Sequence, residues 1–349
     1  MRRLTLFCHF DKDNLIDDYV VTYLQGLKQI ASDIYFVSNS LPSACELKKI
    51  EPYVKNITLR KNTGLDFGAW KEVILTLGLP YIASHYDELI LANDSCYGPF
   101  SPFSDLFTHM SNKNYDMWGI TENCEPYYVS ENGEVIDIPP HIQSYFLVFN
   151  KTILQAACFS TFWNNVNNLA CRDGIILNNE IGLTTLLKDN GFYCGAFIQS
   201  QTINTHNLKN IHGVQLYDLS LFCWYELLHH QNPLLKVKAI PLTLNMHKKY
   251  FQNFKRNYPE TKGLCSFLMV DKHLKRTSIS YRLAQISWLK KITAVILYIL
   301  FRKPANSTAI VIFHEYKAKI CKNLSQGGIR QIIKKIYRIV LHKALFKND

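Results

Sequence analysis

Short apolar runs alternate with longer amphipathic stretches through the first two thirds of the chain. Residues 4–10 are a β-prone run that stops at Asp11, and residues 15–30 carry a helical pattern. Residues 34–37 (IYFV) form a second strand closed by Ser38-Asn39-Ser40, and residues 54–59 a third. A glycine-punctuated stretch over 62–68 precedes a helix over 69–77, and a strand over 88–92 stops at Asn93-Asp94. Strands separated by helices of about 10–15 residues predict a mostly parallel, Rossmann-type α/β sheet with helices on both faces. Such sheets bind ligands beyond the carboxyl ends of their strands. Asp11, Ser38-Asn39 and Asn93-Asp94-Ser95 are therefore expected on one rim.

Between residues 115 and 150 the pattern turns β-like, with strands MWGIT and YFLVF around a loop holding Gly133 and Pro139-Pro140. Helices are expected over 159–169 and 181–188, and Gly191 ends the second before a strand over 192–198. Beyond about residue 240 the character changes. The apolar run 292–301 is flanked by Lys290-Lys291 and Arg302-Lys303. It is too short to cross a bilayer, which takes about 20 helical residues. A helix over 329–346 sets Ile332, Ile333, Ile336, Ile339 and Val340 against Lys334, Lys335 and Arg338. Both read as amphipathic helices lying on a membrane surface, or packing an apolar stripe on the front domain. The expected division is a domain over 1–240 and a basic, mainly helical extension over 241–349.

Charge sharpens that division. Of 39 Lys+Arg, 22 lie from Pro241 onward, with only 4 of 28 Asp+Glu, so the extension carries +18 and the front −7. A basic tail seeks anionic lipid, nucleic acid or an acidic partner. Nucleic acid is the weakest of these, because no motif with stacking aromatics accompanies the charge. Hydrophobic residues make up 48% of the chain, which excludes wholesale disorder. None of the ten cysteines forms a C-x-x-C or a zinc-finger spacing, so they read as reduced, buried thiols. The apolar stretch of the N-terminus is too short for a signal-peptide core and reads as a first strand. The front domain is expected in the cytoplasm.

The segment from Lys61 to Phe100 carries the densest chemistry, running from KNTGLDFGAWKEVI to YDELILANDSCYGPF. Glycines in a turn let backbone approach a nucleotide closely. A carboxylate at a strand end suits a divalent cation on a leaving diphosphate. No G-x-S-x-G, H-E-x-x-H, P-loop or G-x-G-x-x-G signature occurs.

Six blocks in order then resemble the rhamnan synthesis protein F (RgpF) family of polysaccharide glycosyltransferases. They are FCHFDKDNLIDDYV (7–20), RKNTGLDFGAWKEVI (60–74), YDELILANDSCYGPF (86–100), HIQSYFLVFNK (141–151), NNEIGLTTLLKDNGF (178–192) and NPLLKVKAI (232–240). The resemblance covers roughly residues 1–240. It implies a GT-A-like fold and an inverting transfer of sugar from a nucleoside-diphosphate donor to a glycan carried on a polyprenyl diphosphate. The family name suggests dTDP-L-rhamnose, although other donors stay open. Such an enzyme works at the inner face of the cell membrane.

The resemblance also distributes roles. Asn62, Gly64 and Gly68 sit where the N-x-G turn of GT-A enzymes belongs, and Asn93-Asp94-Ser95 where their D-x-D metal motif belongs. Only one carboxylate survives there, which puts the Mg²⁺ or Mn²⁺ requirement in question. Asp94, with His206, is the expected metal contact, unless Asp94 is a turn residue or helix cap. Asp11, Asn39 and Asp66 are expected on the donor. Glu180, in front of a helix that runs to Gly191-Phe192, is the expected base, with Asp173 a rival; a helix-terminal Glu favoured by the dipole is the plainer reading. His141, Gln143, Ser144 and Trp118 are expected near the acceptor. Trp118 and Trp70 serve equally well as core. The incomplete metal motif leaves one alternative of another class, a non-catalytic scaffold that binds glycan or assembly partners.

Overall fold

The computed structural model describes residues 1–125, 127–130, 134–168, 171–203, 218–243, 248–258 and 263–278. His206 and the two helices expected near the C-terminus lie outside the described residues. The chain divides into two compact units, Met1–His273 and Leu274–Asp349. All the described strands belong to the first.

They are β1 (Arg3–His9), β2 (Asp33–Ser38), β3 (Asn56–Leu59), β4 (Glu88–Asn93), β5 (Cys96–Tyr97), β6 (Met117–Asn123), β7 (Tyr127–Val129), β8 (Val135–Asp137), β9 (His141–Ile142), β10 (Phe146–Asn150), β11 (Cys194–Ile198) and β12 (Leu235–Lys236). The main sheet runs β11-β6-β10-β4-β1-β2-β3, with β9 added on β6. Pairing is parallel at β4-β1, β1-β2, β2-β3 and β11-β6, and antiparallel where β10 enters between β4 and β6. The architecture is the expected mixed α/β one with a mostly parallel sheet.

Central strands of such a sheet are covered on both faces, so they read as continuous apolar runs. Leu4, Leu6, Phe7 and Leu89 through Ala92 are all fully buried. Leu4, Leu6, Cys8, Leu89 and Leu91 share one core with Phe67, Trp70 and Ile74 of the helix Leu65–Leu77, and with Phe159 and Trp163 of the helix Ala157–Asn165. Elsewhere in the core, aromatic rings interlock. Phe7 meets Tyr23 edge-on at 5.1 Å, and Phe103 stacks on Phe146 at 5.6 Å.

Two local expectations change. The helix predicted from residue 69 begins at Leu65, capped by Gly64 at φ 70°. Gly68 is thus in its first turn, where a Cβ would run into the Thr63 carbonyl oxygen and the Asn168 side chain. Within the stretch expected as a loop, β7 and β8 pair antiparallel.

Phe146 is fully buried against Phe103, Phe107 and Trp118. Phe146→Ala is expected to cost about 3–5 kcal/mol, read from the shift in urea-unfolding midpoint.

Candidate functional site

Strand register assembles the rim. His9 pairs with Ser38 and Cys8 with Asn93, so β1, β2 and β4 stop side by side. The Asn39 N–H then donates to the His9 carbonyl at 2.8 Å, the Asp94 N–H to that of Cys8 at 3.1 Å, and the Asp11 N–H to Ser40 Oγ at 2.7 Å. All three polar strand endings meet on one edge, as expected.

Asp94 occupies the two-residue turn between β4 and β5. Its Oδ2 accepts the Phe10 N–H at 2.9 Å, and its carbonyl accepts the Tyr19 hydroxyl at 3.0 Å. Next to it, Asn93 Nδ2 donates to Asp66 Oδ2 at 2.8 Å, while Asn93 Oδ1 accepts from the Ser95 hydroxyl at 2.5 Å. Burial pushes Asp94 from its ordinary 3.8 up to about 7, with Asp11 and Asp66 adding repulsion. Burial also takes Asp66 to about 6, with Glu180 the next contributor. His9 lies 3.9 Å from Asp94, and burial pushes it down to about 4, so it is neutral at pH 7.

Glu180 stands on a continuous helical run from Arg172 to Asp189 whose middle, Ile176–Ile181, is a π-helix. It is therefore inside a helix, not in front of one, and the dipole reading of this residue falls away. Its Oε2 accepts the Ser144 hydroxyl, and its Oε1 lies 3.6 Å from Nε2 of the buried His141. Burial alone would raise Glu180, but His141, Lys236 and Ser144 together hold it below its ordinary value. Asp66 interacts electrostatically with both Asp94 and Glu180. Asp66 is thus the electrostatic neighbour that Asp94 and Glu180 share.

Lys236 completes this group and was missed in the sequence. Strand β12 pairs antiparallel with β5, setting Lys236 opposite Cys96, and the Val237 N–H donates to the Ser95 carbonyl at 2.8 Å. The Lys236 ammonium sits 4.6 Å from the Tyr145 ring centroid, one residue from Ser144. The K-V-K alternation in NPLLKVKAI was the available signal.

Other expected residues are placed differently. Trp118 is buried against Phe107 and Phe146, and Trp70 against Phe67; both rings are core, because aromatic neighbours fill the space a sugar would need. Asp173 accepts the Tyr128 hydroxyl at 2.6 Å. Gln143 is buried, accepting from Thr121 at 2.6 Å and donating to Asp218 at 3.4 Å. Asn39 accepts from Arg60 at 2.5 Å and donates to the Leu65 carbonyl at 3.0 Å, steadying the glycine turn. Asn62 is exposed. Gly64 and Gly68 are both approached closely by Asn168, so the chain itself accounts for their missing side chains.

A mostly parallel α/β domain with carboxylates and a lysine gathered at the carboxyl edge of its sheet is the class these observations define. Residues 34–320 match the profile of rhamnan synthesis protein F, and the chain belongs to that family. The y4gN protein of Sinorhizobium fredii (strain NBRC 101917 / NGR234), itself uncharacterized, is 27% identical over 169 residues, 48% of this chain and 42% of that one. The chain thus spans less than half the length of this relative. Similar solved structures include 4-diphosphocytidyl-2C-methyl-D-erythritol synthase from Anaerococcus prevotii, at 11% identity and TM-score 0.35 over 57% of this chain and 89% of the other. Another is core-mannan synthase A from Aspergillus fumigatus in its Mn/GDP form, at 10% identity and TM-score 0.32 over 56% and 72%. Among the described residues no group of three His, Cys, Asp or Glu side chains is poised to hold a metal, and no helix is long and apolar enough to cross a membrane.

A carboxyl raised on folding has a definite pH signature. Between about 4 and 7 the folded protein keeps a proton on Asp94 that the unfolded chain releases, so the Asp94 contribution to stability falls as pH rises through that window. Asp94→Asn is expected to melt a few degrees above the parent at pH 8, with the gap closing towards pH 4. A gap of the same size at both pH values would refute a protonation cost at this residue.

Proposed function

We propose that the chain is an inverting glycosyltransferase of surface-polysaccharide synthesis. It moves a sugar from a nucleoside diphosphate to a hydroxyl of a growing glycan. The supporting observation is the coupled group of Asp94, Asp66 and Glu180 on the carboxyl edge of a parallel sheet, in a chain of this family.

Glu180 is the base. His141 and Ser144 aim its carboxylate and keep it charged, so it can take the acceptor hydroxyl proton. As the proton leaves, the acceptor oxygen bonds to C1 of the sugar while the C1–oxygen bond to the diphosphate breaks. The electron pair departs on the diphosphate, and the single displacement inverts C1. Asp66, held by Asn93, stands with these carboxylates, and Asp11 and Asn39 border the donor. Asp94 is the residue that would hold a divalent cation, as a single protein carboxylate. When bound, Mg²⁺ or Mn²⁺ supplies charge neutralisation on the leaving diphosphate.

The donor that the family name favours is dTDP-L-rhamnose, and the acceptor a polyprenyl-diphosphate-linked glycan at the inner face of the membrane. The basic extension suits that surface, at about 1 kcal/mol per nearby Lys or Arg. A scaffold without catalysis keeps one argument, the single carboxylate among Asn93, Asp94 and Ser95.

Asp94→Asn and Glu180→Gln are each expected to lower sugar transfer by about 10²- to 10⁴-fold, with circular dichroism unchanged. A panel of nucleotide sugars, with and without Mg²⁺ or Mn²⁺, is the assay. Full glycan extension by both variants in a deletion strain would leave the scaffold. Truncation after about residue 286 is expected to move the protein from the membrane to the soluble fraction; a truncated form that stays with the membrane rules out the extension as anchor.

A further inference from the structure

Residues past 240, expected in a separate extension, return to the strand that follows Asp94. The Cys265 N–H donates to the Pro99 carbonyl at 2.7 Å, and Phe254 of the helix Lys248–Asn257 meets Phe100 edge-on at 5.5 Å. The next helix, Phe267–Thr277, meets the helix Asp18–Lys28: the Thr22 hydroxyl donates to Met269 Sδ at 3.4 Å, and Lys272 pairs with Asp18. His273 is buried at this join. Its Nδ1 is hydrogen-bonded to the Tyr97 hydroxyl at 2.7 Å, and its Nε2 stands 3.6 Å from Asp17 Oδ2. Asp17 precedes the helix Asp18–Lys28, yet its side chain makes no capping bond there. The imidazole also lies edge-on to two buried tyrosines, 4.9 Å from Tyr19 and 5.5 Å from Tyr97, and those rings meet each other at 5.0 Å. Tyr19 donates its hydroxyl to the Asp94 carbonyl, and Tyr97 closes β5 three residues after Asp94. One histidine therefore reaches the Asp94 turn by two routes, through the Tyr97 hydroxyl into β5 and through the Tyr19 ring onto the Asp94 backbone. For packing alone, a phenylalanine would serve at such a place. A buried polar chain with its partners in position instead fixes one arrangement of the groups it joins.

We propose that His273 is a positioning residue for Asp94, and that residues 248–273 belong to the unit that performs the transfer. His273 touches no reacting atom. It acts through Tyr97 and Tyr19, which hold the two-residue turn that carries Asp94, as a supporting layer holds a functional side chain on its scaffold. The proposal rests on the reading of Asp94 as a residue of the transfer site, but the hold on the turn is a property of the fold and can be measured without any sugar.

Hydrogen exchange of the full chain and steady-state transfer kinetics test it together. In His273→Phe and in Tyr97→Phe, the amides of residues 94–97 are expected to exchange about five- to tenfold faster than in the parent, the loss of one buried hydrogen bond, while those of the helix Leu65–Leu77 keep their rate. The same variants are expected to lose about tenfold in kcat, with the donor KM within about threefold. His273→Asn, which can set a side-chain atom where Nδ1 stood, is expected to bring both readings back to within about threefold of the parent. Lys272→Ala breaks an exposed pair of the same helix and is expected to change neither. Should His273→Phe fail to fold, Tyr97→Phe, which removes a single oxygen, carries the test. Parental exchange at 94–97 in folded Tyr97→Phe overturns the proposal. Exchange quickened equally across the sheet, or an equal loss in Lys272→Ala, overturns it too, since either marks a helix that merely stabilises. Faster exchange at the turn with the parental kcat does the same. A parent that moves no sugar from any donor in the panel removes the transferase reading, and exchange at 94–97 then still decides whether His273 holds the turn.

Discussion

The carboxylate of Asp94 is held by the backbone of a neighbouring strand. Its Oδ2 takes the Phe10 N–H just beyond β1, while the Asp94 N–H returns to the Cys8 carbonyl. This two-way link exists only because β1 and β4 pair in parallel and stop at the same level. A slip of one residue would turn every side chain to the other face and carry Asp94 away from the edge. The apolar residues of both strands, buried on both faces, enforce that register, so the hydrophobic core fixes where the charge stands.

Holding charge there works against the fold. Asp94 and Asp66 are both displaced towards protonation by burial, and each is displaced further by another carboxylate. Glu180 escapes because His141, Lys236 and Ser144 converge on it. The three carboxylates thus fall into two kinds, two in which burial outweighs their partners and one in which the partners outweigh burial. Such a contrast is the usual mark of groups assigned different tasks.

The elements that build the edge were legible in sequence because each is local. Apolar runs that end abruptly at Asp11, Ser38-Asn39 and Asn93-Asp94 announce strand ends, and a parallel sheet aligns strand ends by construction. Features that depend on distant pairing were not legible. Nothing in YFLVF says that β10 enters antiparallel between β4 and β6, and it is that insertion which delivers Ser144 to Glu180. Lys236 reads as one more surface lysine until β12 pairs with β5. Gly68 carried a misleading signal: a glycine that looks like a loop marker is a helix position that Thr63 and Asn168 crowd. Trp118 and Trp70 were open to two readings, and the surrounding rings decide for core.

The widened turn Ile176–Ile181 has its own consequence. Each residue of an ordinary helix advances the side-chain direction by about 100°. A turn that accommodates one residue more shifts the phase between the helical segments on its two sides. Leu183 and Leu187 behind it keep their buried contacts, and Ile175 ahead of it keeps its own, while Glu180 between them is free to point elsewhere. The helix works as two rigid rods joined by an angular offset. Shortening the segment by a single residue would leave the composition almost intact and yet swing either the carboxylate or the apolar stripe out of alignment.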